Sequence, residues 1–178
     1  SHVVKKLVEA GYHVKACVRD ASRADKMAYL HDINDQGPGS IELHSVDLLE
    51  SKNGAYDEVF TGCVAVFHVA ADLGTDPKYG PPTPQMTYDA LLEATAGVLD
   101  SCKKSGSVQR VVYTSSSAAV MGPGAADRPI DHIYTEEDWA GGTYESLEER
   151  YTSTNRKGEV FKNWNIERSS YAKGKLDA

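Results

Sequence analysis

Tyr171 and Lys175 stand four residues apart near the end of a 178-residue sequence, a spacing that puts both side chains on one face of a helix. An ammonium beside a phenol favours the phenolate. A phenol placed in this way can give its proton to a carbonyl oxygen, which is general acid chemistry. Alone the pair is a weak signal, because ten tyrosines make chance pairs with lysine common, and an exposed pair on a helix with no chemistry stays open. Ser116 adds weight. It closes Val111-Val112-Tyr113-Thr114-Ser115-Ser116, an apolar strand running into polar residues, and open α/β sheets bind ligands at the carboxyl ends of their strands. A serine-rich turn is the alternative at that point. Arg19 ends an earlier strand, where a guanidinium would meet a ribose 2′-phosphate and an acid would favour an unphosphorylated ribose. Asp20 follows it directly, so that signal is mixed. Lys26, in the first turn of the next helix, offers a second cation to the same phosphate. His68 and Cys17, both within strands, read as core residues. The acids Glu136, Glu137, Glu145, Glu148 and Glu149 read as solvated faces.

These residues need elements to position them. Val3, Val4, Leu7 and Val8 form a helical stripe that Gly11 closes. Tyr12 to Val18 alternates as a strand, 21–33 has helical spacing, and Ile41 to Asp47 alternates again. A short helix, Tyr56 to Phe60, precedes Val64 to Ala71, a run apolar throughout that predicts a strand buried on both faces. Residues 72–84 hold four of the seven prolines and read as a loop. Gln85 to Ser105 predicts a long helix ended by Gly106, and 111–114 a further buried strand. The pattern weakens over 122–168, and Ser169 to Ala178 reads as the beginning of a helix. Strand and helix alternating at this rhythm predict a parallel sheet with helices on both faces. A helix at the start, with no strand before it, gives the right-handed crossover nothing to connect from. The sequence is therefore expected to be cut off at both ends.

Composition narrows the function classes. The net charge of −7 argues against nucleic acid and against an anionic membrane surface, and no apolar run is long enough to span a bilayer. Three cysteines without paired spacing suggest a reducing compartment and no disulfide framework. Scattered histidines and the absence of CxxC or HExxH spacing argue against a zinc site. Gly-x-Ser-x-Gly is absent, so a hydrolase elbow is unsupported. No secretory leader is visible, and a soluble cytoplasmic protein is the expectation. The sequence assigns no oligomeric state.

In order and spacing, these segments resemble the extended short-chain dehydrogenase/reductases, in particular the group of dihydroflavonol 4-reductase, cinnamoyl-CoA reductase and the aldehyde reductases. Ser1-His2-Val3-Val4-Lys5-Lys6-Leu7 is similar to the continuation of that family's glycine-rich turn, and Gly11 to Asp20 to its second strand. Val46-Asp47-Leu48-Leu49 is similar to its adenine-contacting segment and Val66 to Ala71 to its fourth strand. Arg110 to Ser116 resembles the fifth strand with the catalytic serine, and Tyr171-Ala172-Lys173-Gly174-Lys175 the Tyr-x-x-x-Lys segment. The resemblance implies a doubly wound Rossmann-type parallel sheet in which 1–178 is a partial NAD(P)-binding domain, without its first strand and its C-terminal substrate lobe. It also implies NADP(H) bound along the strand ends. Arg19 and Lys26 would hold the 2′-phosphate, Asp47 and Leu48 the adenine, and Val69, Ala70 and Ala71 the pyrophosphate-ribose edge. Tyr171 would be the proton donor. Lys175 would bind the nicotinamide ribose and ease proton transfer from Tyr171. Ser116 would hold the substrate oxygen, with Ser117 as the alternative register.

Three departures accompany it. The glycine-rich loop is absent, Glu93-Ala94-Thr95 stands where the family has Asn-Gly-Thr, and the sequence stops three residues after Lys175. The cinnamoyl-CoA reductase signature Asn-Trp-Tyr-Cys-Tyr-Gly-Lys is also missing, so a CoA ester is not favoured. The implied activity is NADPH-dependent reduction of an aldehyde or ketone, with a small carbonyl or alcohol substrate. Residues 1–178 alone are expected to be inactive and to bind NADPH weakly. A 3β-hydroxysteroid dehydrogenase or sugar-nucleotide epimerase relative would share the same serine, tyrosine and lysine. A non-catalytic NADP sensor is a third reading, opposed by the retention of both Tyr171 and Lys175.

Overall fold

The computed structural model describes residues 2–34, 36–72, 83–121, 131–135, 138, 152–154, 160–162 and 166–178. Helix α1 (His2–Glu9) leads into strand β1 (His13–Val18), and α2 (Ala24–Asn34) into β2 (Ser40–Ser45). Gly11, at φ 89°, ends α1 in the left-handed conformation that only glycine adopts freely. Tyr12 then donates its backbone N–H to the Leu7 carbonyl at 3.0 Å, closing the helix end. β1 and β2 pair in parallel from His13–Ser40 to Val18–Ser45. Alternation along β1 divides two cores. Val14 and Val18 join Val8, Met27, Leu30 and Ile33 beneath α1 and α2. Cys17 faces the other way, onto a cluster of Tyr56, Phe60, Val66, Val98 and Cys102. Removing a side chain such as Leu30 from water contributes roughly 1.5–3 kcal/mol.

The second half repeats the plan. A 3₁₀ helix (Leu48–Asn53) and α3 (Asp57–Phe60) precede β3 (Ala65–His68). α4 (Pro84–Ser105) crosses over to β4 (Arg110–Tyr113), which pairs in parallel with β3 from Ala65–Arg110 to His68–Tyr113. The Thr83 side chain accepts the Met86 amide as the N-cap of α4, and Pro84 occupies its first turn. α5 (Ser117–Met121), a small antiparallel pair β5 (Thr152–Thr154) and β6 (Val160–Lys162), and α6 (Ile166–Asp177) follow.

The structure corrects several expectations. α2 begins at Ala24 rather than at residue 21, because Asp20 Oδ1 accepts from both the amide and the hydroxyl of Ser22 and holds 20–22 in a turn. The 3₁₀ helix was not anticipated. β3 and β4 are buried more deeply on one face than on the other: Val66 and His68 are buried, whereas Phe67 and Val112 are each 41% exposed. The expected parallel pairing is found, as the two pairs β1–β2 and β3–β4 among the described residues. The expected loop at 72–84 and the glutamates at 136, 137, 145, 148 and 149 lie wholly or largely outside the described residues.

Candidate functional site

Parallel strands direct all their carboxyl ends the same way, and the candidate residues sit where the strands end. Arg19 follows β1, Asp47 follows β2, Val69, Ala70 and Ala71 follow β3, and Ser115 and Ser116 follow β4. The two parallel pairs meet at these ends through Arg19, whose guanidinium lies 3.9 Å from the carboxylate of Asp72. Arg19 is 70% exposed while Asp72 is buried. Arg19 and Asp20 differ in what they contact. Oδ1 of Asp20 is engaged by Ser22 at 2.9 and 2.6 Å, and those hydrogen bonds hold its carboxyl below the usual range, whereas Arg19 presents its fork to solvent. Lys26 is exposed on α2.

Asp47 is the N-cap of the 3₁₀ helix, accepting the Leu49 amide at 3.0 Å, and Leu48 packs on the core below it. The segment read as adenine-contacting is thus a rigid corner. Gly97 of α4 lets that corner approach: a Cβ there would lie 2.5 Å from the Ser51 carbonyl carbon and 2.6 Å from the Lys52 nitrogen.

On the other side of α4 lies α6. Here Gly174 is the point of close approach, since a Cβ on it would stand 2.6 Å from Leu91 Cδ1. The Tyr88 hydroxyl donates to Asp177 at 2.6 Å, and Lys173 pairs with the same carboxylate oxygen at 2.6 Å. Lys173 and Asp177 share one flank of the helix by their spacing. Tyr171 and Lys175 share the other. Lys175 is only 3% exposed; its Nζ donates to the Thr114 carbonyl at 2.8 Å and lies 4.6 Å above the centre of the Tyr113 ring. Tyr171, one turn earlier, is half-buried.

Ser116 is half-buried, and its Oγ accepts the Ala118 amide at 3.1 Å, while its carbonyl accepts from Ala119 at 2.9 Å. It therefore opens α5. Ser117 is exposed in the first turn of α5. The Ser115 hydroxyl is buried without a hydrogen-bond partner among the described residues. His68 is the core histidine the sequence suggested. It is buried, 3.4 Å from the Thr95 hydroxyl, with its ring centre 5.4 Å from that of Tyr113. Burial, with the Lys175 charge as the smaller cause, lowers its pKa, which favours the neutral ring.

The structure thus joins Lys175 to the end of the strand that carries Ser116, and Arg19 to the end of β3. Sequence reasoning missed Asp72, Tyr113 and the capping role of Asp47. Only the last had a local signal, an aspartate followed seven residues later by Gly54 at φ 79°. No group of three His, Cys, Asp or Glu side chains that could hold a metal occurs among the described residues. No helix among them is long and apolar enough to cross a membrane.

Residues 1–152 match the model of the NAD dependent epimerase/dehydratase family. A cinnamoyl-CoA reductase of Medicago truncatula is 39% identical over 140 residues, covering 78% of this chain and 40% of that protein. A dihydroflavonol 4-reductase of Hordeum vulgare is 33% identical over 147 residues, covering 81% of this chain and 38% of the relative. Among solved structures, a yeast methylglyoxal/isovaleraldehyde reductase complexed with NADPH superimposes with a TM-score of 0.64 at 24% identity. That match covers 98% of this chain and 46% of the yeast chain, and it shows the same Rossmann-like fold. The chain spans less than half the length of each of these relatives.

Proposed function

The chain belongs to the NAD dependent epimerase/dehydratase family, and on that premise we propose that the complete protein is an NADPH-dependent reductase of a small aldehyde or ketone. One observation carries the reading. Lys175 is a buried ammonium tied to the carboxyl end of β4, one helical turn from Tyr171. A buried cation is costly unless it is paired, and this one has a carbonyl and a ring face instead of a carboxylate. It therefore keeps its positive field for whatever lies beside Tyr171.

Arg19, exposed at the end of β1, and Lys26 fit the 2′-phosphate, as a planar fork and a point charge. Asp47 and Leu48 would flank the adenine, with Val69, Ala70 and Ala71 along the pyrophosphate-ribose edge and Lys175 at the nicotinamide ribose. When bound, the nicotinamide supplies the hydride. Ser116 would donate its hydroxyl proton to the substrate oxygen and hold it in place, with Ser117 as the other register. Tyr171 would give its proton to that oxygen as negative charge develops, and Lys175 would stabilise the phenolate left behind. An aldehyde or ketone substrate accords with the names of the dihydroflavonol 4-reductase and of the methylglyoxal/isovaleraldehyde reductase, whereas the cinnamoyl-CoA reductase is named for a thioester.

Tyr171→Phe in the complete protein tests the assignment, because it keeps the ring and deletes the proton. Turnover should fall by roughly 10²–10⁴-fold while the NADPH dissociation constant stays near that of the wild type. Wild-type turnover in Tyr171→Phe would place the acid elsewhere.

A further inference from the structure

We propose that Tyr113 is a positioning residue of this site: its ring face seats the Lys175 ammonium. The inference rests on the assignment of Lys175 above and extends it to the strand beneath. Lys175 Nζ stands 4.6 Å from the centre of the Tyr113 ring, inside the range in which a cation is attracted to an aromatic face. At 3% exposure the ammonium has little water to solvate it. Among the described residues its hydrogen-bond acceptor is the Thr114 carbonyl, at 2.8 Å, which leaves two of its three donors for the ligand side. The ring supplies a charge-stabilising surface without consuming a donor. A carboxylate in that position would cancel the field that Tyr171 needs.

The setting of the ring supports this role. Tyr113 pairs in register with His68, and the two rings lie 5.4 Å apart at a 37° tilt, so the ring beside Lys175 has a second flat group as its neighbour. The Thr95 hydroxyl, 3.4 Å from His68 Nε2, holds that group in turn. The Tyr113 hydroxyl is buried with no hydrogen-bond partner among the described residues. What the position uses is the ring, and the oxygen contributes nothing visible. Among the described residues, the ionisable groups about Lys175 are Tyr113 and His68 on the strands and, by helical spacing, Tyr171 on its own helix. Lys173, Asp177 and Tyr88 are bonded to one another on the opposite flank.

The experiment uses the complete protein, with kcat and KM for NADPH followed across pH for Tyr113→Phe, Tyr113→Leu and Tyr113→Met. Loss of the ring face should lower kcat about 2- to 30-fold in the Leu and Met variants, the factor that corresponds to a typical cation–π contact. It should also move the alkaline limb of the kcat profile to lower pH by roughly 0.4 to 1.5 units, because the charged form of Lys175 loses stabilisation. The conservative Phe variant keeps the face and should restore both the rate and the limb. Methionine fills the space flexibly, so it reports on the ring even where leucine disturbs folding. If Leu and Met variants keep the wild-type limb, or if Phe falls as far as they do, the ring does not seat the ammonium and the inference is overturned. Lys175→Met separates the two layers. Wild-type turnover in Lys175→Met would refute the assignment of Lys175 itself, whereas a collapse there beside an unchanged Tyr113→Leu would refute only the role of Tyr113.

Discussion

Replacing Gly97 by alanine should weaken the protein even though alanine is the better helix former. A Cβ at 97 would stand 2.5 Å from the Ser51 carbonyl carbon, 2.6 Å from the Lys52 nitrogen and 2.7 Å from Ser51 Oγ. Carbon atoms rest at about 3.5–4.0 Å, so α4 and the 3₁₀ helix would have to part by roughly 1 Å. The two closest obstacles are backbone, which cannot rotate away as a side chain would. Overpacking of this kind costs about 1–3 kcal/mol, and the gain in helix propensity returns roughly 1 kcal/mol. The net expectation is a loss of up to about 2 kcal/mol. Thermal or denaturant unfolding of the complete protein measures it, with Ala96→Gly, exposed on the same helix, calibrating propensity alone. The displaced corner carries Asp47 and Leu48, so KM for NADPH should rise more than kcat falls. The reasoning fails if Gly97→Ala is as stable as the wild type or more so. A destabilised variant with unchanged KM would instead detach the 3₁₀ corner from cofactor binding.

Two further outcomes follow from single side chains. Arg19→Ala should remove most of the preference for NADPH over NADH in steady-state kinetics, and an unchanged ratio would show that the 2′-phosphate is held elsewhere. Asp57 has its carboxyl held below the usual range, first by the Ser101 hydroxyl at 2.6 Å and then by Lys104 at 2.9 Å. A depressed carboxylate contributes stability that is complete above its unfolded pKa of about 3.9 and is lost as pH falls through the lower folded value. The melting temperature should therefore drop below about pH 4, and Asp57→Asn should start lower and flatten that drop. An equally steep acid limb in Asp57→Asn would assign it to other groups.

Local pattern carried much of the fold. The alternation of Tyr12 to Val18, the helical stripe of Val3 to Val8, and the stops at Gly11 and Gly106 each depend on neighbours a few residues away, and all are found. What failed depended on distance or on competition. The apolar run 64–71 suggested two covered faces, but burial is a property of what packs on a strand: Val66 shares a core with Val98 and Cys102 of α4, while Phe67 stays 41% exposed. The start of α2 was misread because Asp20 and Ser22 satisfy each other before the helix can begin. Ser116, Tyr171 and Lys175 could be picked out by type and spacing. Tyr113 could not, since an aromatic residue in a strand reads as core, and its partner Lys175 lies on a separate helix far along the chain.

The orientation of α6 decides whether that spacing means anything, and it is fixed by three constraints within four residues. Gly174 allows contact with Leu91, Asp177 is bonded to Tyr88, and Lys175 is bonded to the Thr114 carbonyl. The first two hold the helix to α4 and the third holds it to the end of β4. Successive residues on a helix are turned by about 100°, so a slip of one position would break all three. The same slip would turn Tyr171 and Lys175 together by about 100°. Because the constraints lie one turn beyond Tyr171, they set its direction through the helix backbone and need not touch it.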